Sequence, residues 1–299
     1  MAYRNLIIGS PAQLSLRGGQ LIIRTEAEHS VPIEDISSIL LENRMSTVTT
    51  AVLSELGRNG CSVYFCDEKH LPCAVLTAYQ QHSRQLVVLR SQLDATEPMK
   101  KRLWQGIVQE KIRNQAECLR LADYEDKAVP LEAMAERVRS GDPDNLEATA
   151  AQYYFPALFS ESFTRRYENG INAALNYGYA ILRGCAARAL AVYGFQPAFG
   201  LHHRSTLNAF NLADDLMEPF RPTVDLLVFR TVEDEDELTP RLKQALFNVL
   251  NLDILISGQH HSVSYAMELL VQGLARALDK RDPKLPLPRL LELGQHGYE

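Results

Sequence analysis

The chain has 299 residues, 46% of them hydrophobic and 23% charged, and its 31 Lys and Arg against 37 Asp and Glu leave a formal net charge of −6. That length suits about two domains at ~150 residues each, while no apolar run approaches the ~20 residues of a membrane span and MAYRNLIIGS lacks a signal-peptide pattern. The acidic balance excludes a protein that coats nucleic acid by bulk charge, so any DNA contact must come from local basic patches.

Residues 4 to about 78 read as short β-rich runs punctuated by turns, giving a β-rich N-terminal domain over 1–80. NLIIGS, AQLSLRGGQLIIRT, DISSILLEN and CSVYFCD are dense in Ile, Leu, Val, Tyr and Phe, and Gly18-Gly19 marks a hairpin turn. One helix interrupts them from Thr47 to Leu56, with Ser46 or Thr47 as cap and Gly57 as stop. No ligand cluster is expected here: His29 and His70 are far apart, and Glu26, Glu28, Asp67 and Glu68 read as turn residues. So small a sheet leaves edges or a face in need of cover, and a symmetric pairing of two copies would supply it. There is no GxGxxG or GKS/T loop to support dinucleotide or nucleoside-triphosphate binding. The five cysteines (Cys61, Cys66, Cys73, Cys118, Cys185) are odd in number and lack CxxC spacing, as in a cytoplasmic protein with reduced thiols.

Residues 81–90 read as a linker or first helix, and 91–285 as a larger all-α domain, so the fold class is α+β. SRQLVVLRSQLDA and MKKRLWQGIVQEKIRNQAECLRLA carry apolar residues at three- and four-residue spacing. Further helices are expected over 131–140, 146–159, 168–193, 206–217, 222–232, 239–256 and 261–281. Small residues Ala173, Ala174, Gly178 and Ala180 imply close helix packing, and Asn172 and Asn176, four apart, either line a site or serve packing and capping. The basic clusters Lys100-Lys101-Arg102, Lys111 with Arg113, Arg165-Arg166, and Arg183 with Arg188 are solvated helix faces or DNA contacts, Arg165-Arg166 being the most suggestive. The acids Glu233, Asp234, Glu235, Asp236 and Glu237 read as a solvent-facing loop, and the proline-bearing end, 286–299, as a loosely attached tail.

The chemistry concentrates in GFQPAFGLHHRSTLNAFNLADDLMEPFRPTVD, residues 194–225, where a His pair precedes a helix bearing Asp214, Asp215 and Glu218. Asp215 and Glu218 are three apart and Asp214 and Glu218 four apart, so on a helix either pair shares a face. Carboxylates that close repel unless something positive lies between them, and a nearby imidazole completes a donor set for a divalent cation. Upstream, Glu147 stands among the Ala, Tyr, Phe and Leu of NLEATAAQYYFPALF. Such an acid is paired or metal-bound when buried, or it favours the positive end of a helix beginning after Asp142-Pro143-Asp144-Asn145; the two readings are compatible.

LEATAAQYYF, then NGINAALNYGYAILRG, then GFQPAFGLHHR with NLADDLMEPFRPTVD resemble the CRISPR-associated integrase family, the endonuclease of the spacer-acquisition module. The match in order and interval extends over essentially the whole chain, and FNLADDLMEPFRP is similar to the branch found beside single-protein (type II) effector nucleases. The resemblance implies a metal site built from Glu147, from His203 (three positions after Gly200), and from the acidic pair Asp215 and Glu218, with Glu218 the direct ligand. His202 and Asp214 are departures from the family pattern. Neighbouring residues point in different directions, so one histidine of the pair is left to bond backbone or phosphate.

Carboxylates with a single imidazole suit Mg²⁺ or Mn²⁺, which neutralises a phosphodiester and lowers the pKa of a bound hydroxyl or water. In the family a DNA 3′-hydroxyl attacks the repeat backbone, so neither a covalent enzyme intermediate nor an external energy source is required. The resemblance therefore implies a metal-dependent DNA endonuclease and integrase acting on double-stranded DNA, with Arg165, Arg166, Arg204 and Asn176 as candidate DNA contacts. It further implies a homodimer, two of which are bridged by a small partner protein, with other type II adaptation or effector proteins as further candidates. Two other readings stand beside it: a metal-dependent nuclease without integrase activity, and a non-catalytic DNA-binding scaffold whose acids cap helices.

Overall fold

Strands form where β-branched and aromatic residues run together, and in the first part of the chain they are β1 (Arg4–Ile8), β2 (Gln13–Arg17), β3 (Gln20–Arg24), β4 (Glu28–Pro32), β5 (Ile36–Leu41), β6 (Thr47–Val48), β7 (Ser62–Cys66) and β8 (Pro72–Leu76). The computed structural model describes residues 4–68, 72–76, 85–232 and 238–297; His70 and the acidic run 233–237 lie outside them. Two units divide the chain, Met1–Ser83 and Arg84–Glu299.

The first unit holds two four-stranded sheets, ordered β1-β5-β7-β8 and β4-β3-β2-β6. β1 and β7 both run parallel to β5, whose six residues ISSILL are all buried, as a central parallel strand requires. Gly18 and Gly19, at φ 58° and 75°, make the two-residue turn that sets Leu16 opposite Leu21 in the β2–β3 hairpin. The helix expected from Thr47 begins later, because Thr47 and Val48 pair with β2 as β6. Thr49 is the cap, accepting from the Val52 N–H at 3.4 Å, and α1 spans Thr50–Arg58.

The second unit contains α2 (Gln85–Leu93), α3 (Glu97–Leu121), α4 (Glu125–Arg137), α5 (Leu146–Leu158), α6 (Gly170–Val192), α7 (Asn211–Met217), α8 (Arg221–Thr231), α9 (Pro240–Phe247) and α10 (Val263–Lys280). A 3₁₀ turn, Glu218–Phe220, joins α7 to α8. The long α3 and α6 form the middle of this unit, most of their length buried. Gly178 of α6 lies so close to α8 that a Cβ there would come within 2.5 Å of Val224 Cγ1, the small-residue packing expected of this helix.

Two expectations are corrected. The stretch 239–256 is not one helix: α9 stops at Phe247, Asn248–Asn251 tightens into a 3₁₀ turn, and β9 (Asp253–Ile256) pairs with β10 (Gln259–Ser262). Ser257 and Gly258, at φ 53° and 78°, make the turn between them, so the second unit is mostly rather than wholly helical. Nor is the tail loose. Arg289 and Leu255 exchange backbone hydrogen bonds at 2.7 and 3.0 Å, Leu290 is 4% exposed, and the Asn114 side chain donates to the Pro288 carbonyl at 2.9 Å and accepts from the Leu290 N–H at 3.0 Å. Prolines lose a donor but keep their carbonyl, and this tail uses it. Among the described residues no helix is long and apolar enough to cross a membrane.

Candidate active site

Glu147 sits in the first turn of α5, yet it does not serve that helix end. Asp142, held at φ 49°, accepts from the N–H groups of Leu146 and Glu147, both at 2.9 Å, so the first turn is already satisfied. The Glu147 carboxylate is free to reach α3, where it pairs with the Lys111 ammonium. Glu218 meets the same ammonium from the opposite side of the sequence: its Oε2 lies 2.5 Å from Lys111 Nζ, and its Oε1 accepts from Arg221 Nε at 2.8 Å. Glu218 is 5% exposed, so its carboxylate meets both cations away from water. Burial pushes the Glu218 carboxyl up, but Arg221 and Lys111 outweigh it and hold its pKa at about 2.

The His pair is organised by Asp215, which is completely buried. Its carboxylate accepts from the backbone N–H groups of Leu201, His202 and His203 at 2.5, 3.1 and 3.1 Å, and stands 2.7 Å from His203 Nδ1. A Cβ on Gly200 would lie 2.3 Å from the His203 carbonyl oxygen and 2.8 Å from Asp215 Oδ2, which explains the glycine in this segment. The shared helix face expected of the acids is therefore corrected: Asp215 turns to the 200–203 loop, Asp214 to Arg183 Nε at 2.9 Å, and Glu218 to Lys111 and Arg221. Each acid has its own donors, so the repulsion between neighbours is removed locally.

The Asp215 hydrogen bond raises the His203 pKa despite burial, and engaging Nδ1 leaves Nε2 as the ring nitrogen for a ligand. His202 instead stacks flat on Trp104, with centroids 4.2 Å apart and planes 5° apart, and burial lowers its pKa. Trp104 also meets His203 edge-on at 5.7 Å.

A cleft of about 200 Å³ is lined by Lys111, Glu147, Arg165, Tyr179, Glu218 and Arg221, among others. Asn172 and Asn176 both accept from the Arg165 guanidinium, Asn176 at 2.6 Å, and Asn172 also donates to the carbonyls of Thr164 and Tyr167 at 2.9 and 2.8 Å. Both thus hold Arg165 and its loop in place. Arg221 lies 4.4 Å over the Tyr179 ring. Deeper in, Tyr154 and Tyr179 donate to Asp225, whose carboxyl burial pushes up to about 6 against those two hydrogen bonds. His203 and Arg204 line a neighbouring cleft of about 390 Å³, where Arg204 pairs with Glu97 at 2.5 Å. Arg166 is exposed and contributes to neither lining.

Glu147 and Glu218, 71 positions apart, are thus gathered on one cation, while His203, held by Asp215, lies within electrostatic reach of Glu218. Among the described residues, no three His, Cys, Asp or Glu side chains come together as a ready metal cage. The residues that sequence reasoning misses are Lys111, Arg221, Trp104 and Tyr179. The sequence groups Lys111 with Arg113 as a solvated face or a DNA contact; Arg113 does pair outward with Glu136 at 2.7 Å, but Lys111 is 6% exposed. The available signal is register: Trp104, Val108, Lys111 and Gln115 follow helical spacing and all are buried.

The family profile described as "CRISPR associated protein Cas1" matches residues 6–241. A CRISPR-associated endonuclease Cas1 from Neisseria meningitidis serogroup C is 46% identical, with the whole of both chains covered. Among solved structures, a casposase bound to integration product aligns with a TM-score of 0.79 at 21% identity, covering 95% of this chain and 92% of that one. A chain of a Cas6-RT-Cas1–Cas2 complex aligns with a TM-score of 0.72 at 18% identity, covering 95% of this chain and 36% of that one. The last two likenesses establish the fold.

Proposed function

We propose, since this chain belongs to the CRISPR-associated protein Cas1 family, that it is a DNA endonuclease and integrase that inserts short foreign DNA into a CRISPR array. The observation that carries the reading beyond family membership is the convergence of Glu147 and Glu218 on one buried cation, Lys111. Two carboxylate oxygens and the free nitrogen of His203 suit a hard divalent cation, Mg²⁺ or Mn²⁺. When bound, such a cation neutralises the scissile phosphate and lowers the pKa of the attacking hydroxyl.

The chain's own residues do the rest. Arg165 and Arg221, facing the cleft and braced by Asn176 and Glu218, supply guanidinium groups of the geometry that grips a phosphate. Asp215 fixes the orientation of His203 and leaves Nε2 as its ligand nitrogen. Arg204 and the exposed Arg166 extend positive charge outside the cleft for flanking DNA. The attacking group is a DNA 3′-hydroxyl, so transesterification exchanges one phosphodiester for another and the protein forms no covalent bond.

The same reading gives a homodimer joined through residues 1–80, pairs of which are bridged by a small partner protein of the Cas2 kind, with type II adaptation or effector proteins as further partners. An odd number of cysteines without CxxC spacing fits a cytoplasmic setting. The test is strand transfer of a duplex with 3′-hydroxyl ends into a repeat-containing target, with and without the partner. Joined product supports integration, while cleavage without joining assigns a nuclease alone. Glu147→Gln keeps shape and removes the anionic ligand; activity near wild type in Mg²⁺ or Mn²⁺ would sink the metal assignment.

A further inference from the structure

Lys111 lies where a lysine is seldom found: its side chain is 8% exposed and its ammonium stands between Glu147 and Glu218. With Arg221 on the other oxygen of Glu218, two carboxylates face two cations and the local charge is balanced. As an ammonium, Lys111 is the positive charge that both carboxylates face. A divalent cation entering between these carboxylates meets that ammonium at the same point. The two positive charges it adds are repelled by those of Lys111 and Arg221, already beside the carboxylates.

We infer that Lys111 is a built-in counter-ion that competes with the divalent cation for Glu147 and Glu218, so that the centre loads fully only when a DNA phosphate accepts the displaced ammonium. The inference rests on the metal reading above. Lysine carries its charge on a flexible four-carbon stem, and the cleft it lines is shared with Arg165 and Arg221, where a phosphate would bind. Glu147, with 29% of its side chain exposed, marks the side from which the ammonium can leave. By linkage, DNA tightens metal binding and metal tightens DNA binding by the same factor. The free enzyme is thereby kept poorly loaded, which limits stray hydrolysis.

The test is Mn²⁺ binding by the full chain, followed by calorimetry and by the free-ion electron paramagnetic resonance signal, with and without a short duplex carrying 3′-hydroxyl ends. Wild type should bind Mn²⁺ about tenfold more tightly with the duplex present. Lys111→Met should bind about tenfold more tightly than wild type without duplex, and should respond little to adding it. Lys111→Gln, which keeps a polar end in the pocket, should move the same way. Both variants should melt lower than wild type without metal and recover in Mn²⁺, because two carboxylates are left facing each other. Equal or weaker Mn²⁺ binding in both Lys111 variants, with binding still lost in Glu147→Gln, overturns the counter-ion role and leaves the metal reading standing. No Mn²⁺ binding in wild type or in either Lys111 variant overturns the metal reading itself.

Discussion

His203 Nδ1 stands 2.7 Å from Asp215 Oδ1, and the carboxylate that orients this ring also takes the backbone N–H groups of Leu201 and His202. One buried acid therefore fixes both the ring and the loop that carries it. Asp215→Asn presents an NH₂ group to a cluster of donors and leaves at least one of them unpaired. Its expected cost is about 10–100-fold in divalent-ion affinity, with Glu147 and Glu218 untouched, as for other residues that orient a metal-ligating histidine. Mn²⁺ calorimetry checks it, and affinity equal to wild type would show that the loop holds itself without Asp215.

The two histidines differ in what they touch, so their substitutions should differ as well. His203→Ala removes the oriented ring and should abolish strand transfer. His202→Ala removes a stacking partner of Trp104 and should leave part of the activity. His202→Phe keeps an aromatic face on Trp104 and should recover most of that loss, since stacking of this kind contributes about 0.5–1.5 kcal/mol. Strand-transfer rates for the three variants decide the matter, and a severe defect in His202→Phe would give His202 a chemical role.

Much of this site is legible in the sequence, and the physical reason is local. Gly200, the His pair and Asp215 lie within 16 residues, and a loop that must fold its amides onto a carboxylate leaves a recognisable glycine-and-acid pattern. Lys111 leaves no such mark, because a lysine within QEKIRNQ reads the same whether it is solvated or buried; only the stripe from Trp104 to Gln115 distinguishes the cases. The β9–β10 hairpin is hidden for a different reason. NVLNLDILI satisfies helical and strand spacing alike, and the choice is made by Ser257-Gly258 entering the left-handed region and by the tail pairing with β9.

That tail bears on the site through Asn114, whose Nδ2 donates to the Pro219 carbonyl at 2.7 Å as well as to that of Pro288. Pro219 follows Glu218 directly, so one buried amide ties the C-terminal segment to the turn that carries the acid. Asn114→Ala leaves two carbonyls and one N–H unsatisfied in a buried place. A loss of about 2–4 kcal/mol in stability is expected, since each orphaned buried group costs roughly 1–3 kcal/mol and the site relaxes in part. Hydrogen exchange should show early opening of residues 288–296 together with 218–220. Opening of the tail alone would mean that Pro219 is held by its own helices.

Asp225 gives the fold a pH dependence whose sign is opposite to that of most carboxylates. Its folded pKa is raised to about 6 from an ordinary 3.8, burial overcoming the hydrogen bonds from Tyr179 and Tyr154. Between those values the folded chain keeps a proton that the unfolded chain has released. Stability from this group is therefore complete below the unfolded pKa and is lost as pH rises through about 6. A rise from 3.8 to about 6 corresponds to about 3 kcal/mol. Glu218 works the other way: its pKa falls to about 2, so its contribution is present above the ordinary 4.5 and is lost only in stronger acid. His203, with its pKa raised above 6.5, loses its contribution only at higher pH. His202 and His261, lowered from 6.5 by burial, and Glu110, raised from 4.5 by burial, also contribute between about pH 4.5 and 6.5, so Asp225 is isolated by comparison with Asp225→Asn rather than by the interval alone. Across it, the melting temperature of the wild type should fall relative to that of Asp225→Asn by several degrees, whatever the offset between the two proteins at the acid end. Parallel melting curves across that interval would mean that Asp225 is ionised throughout and that the two tyrosines suffice to hold it so.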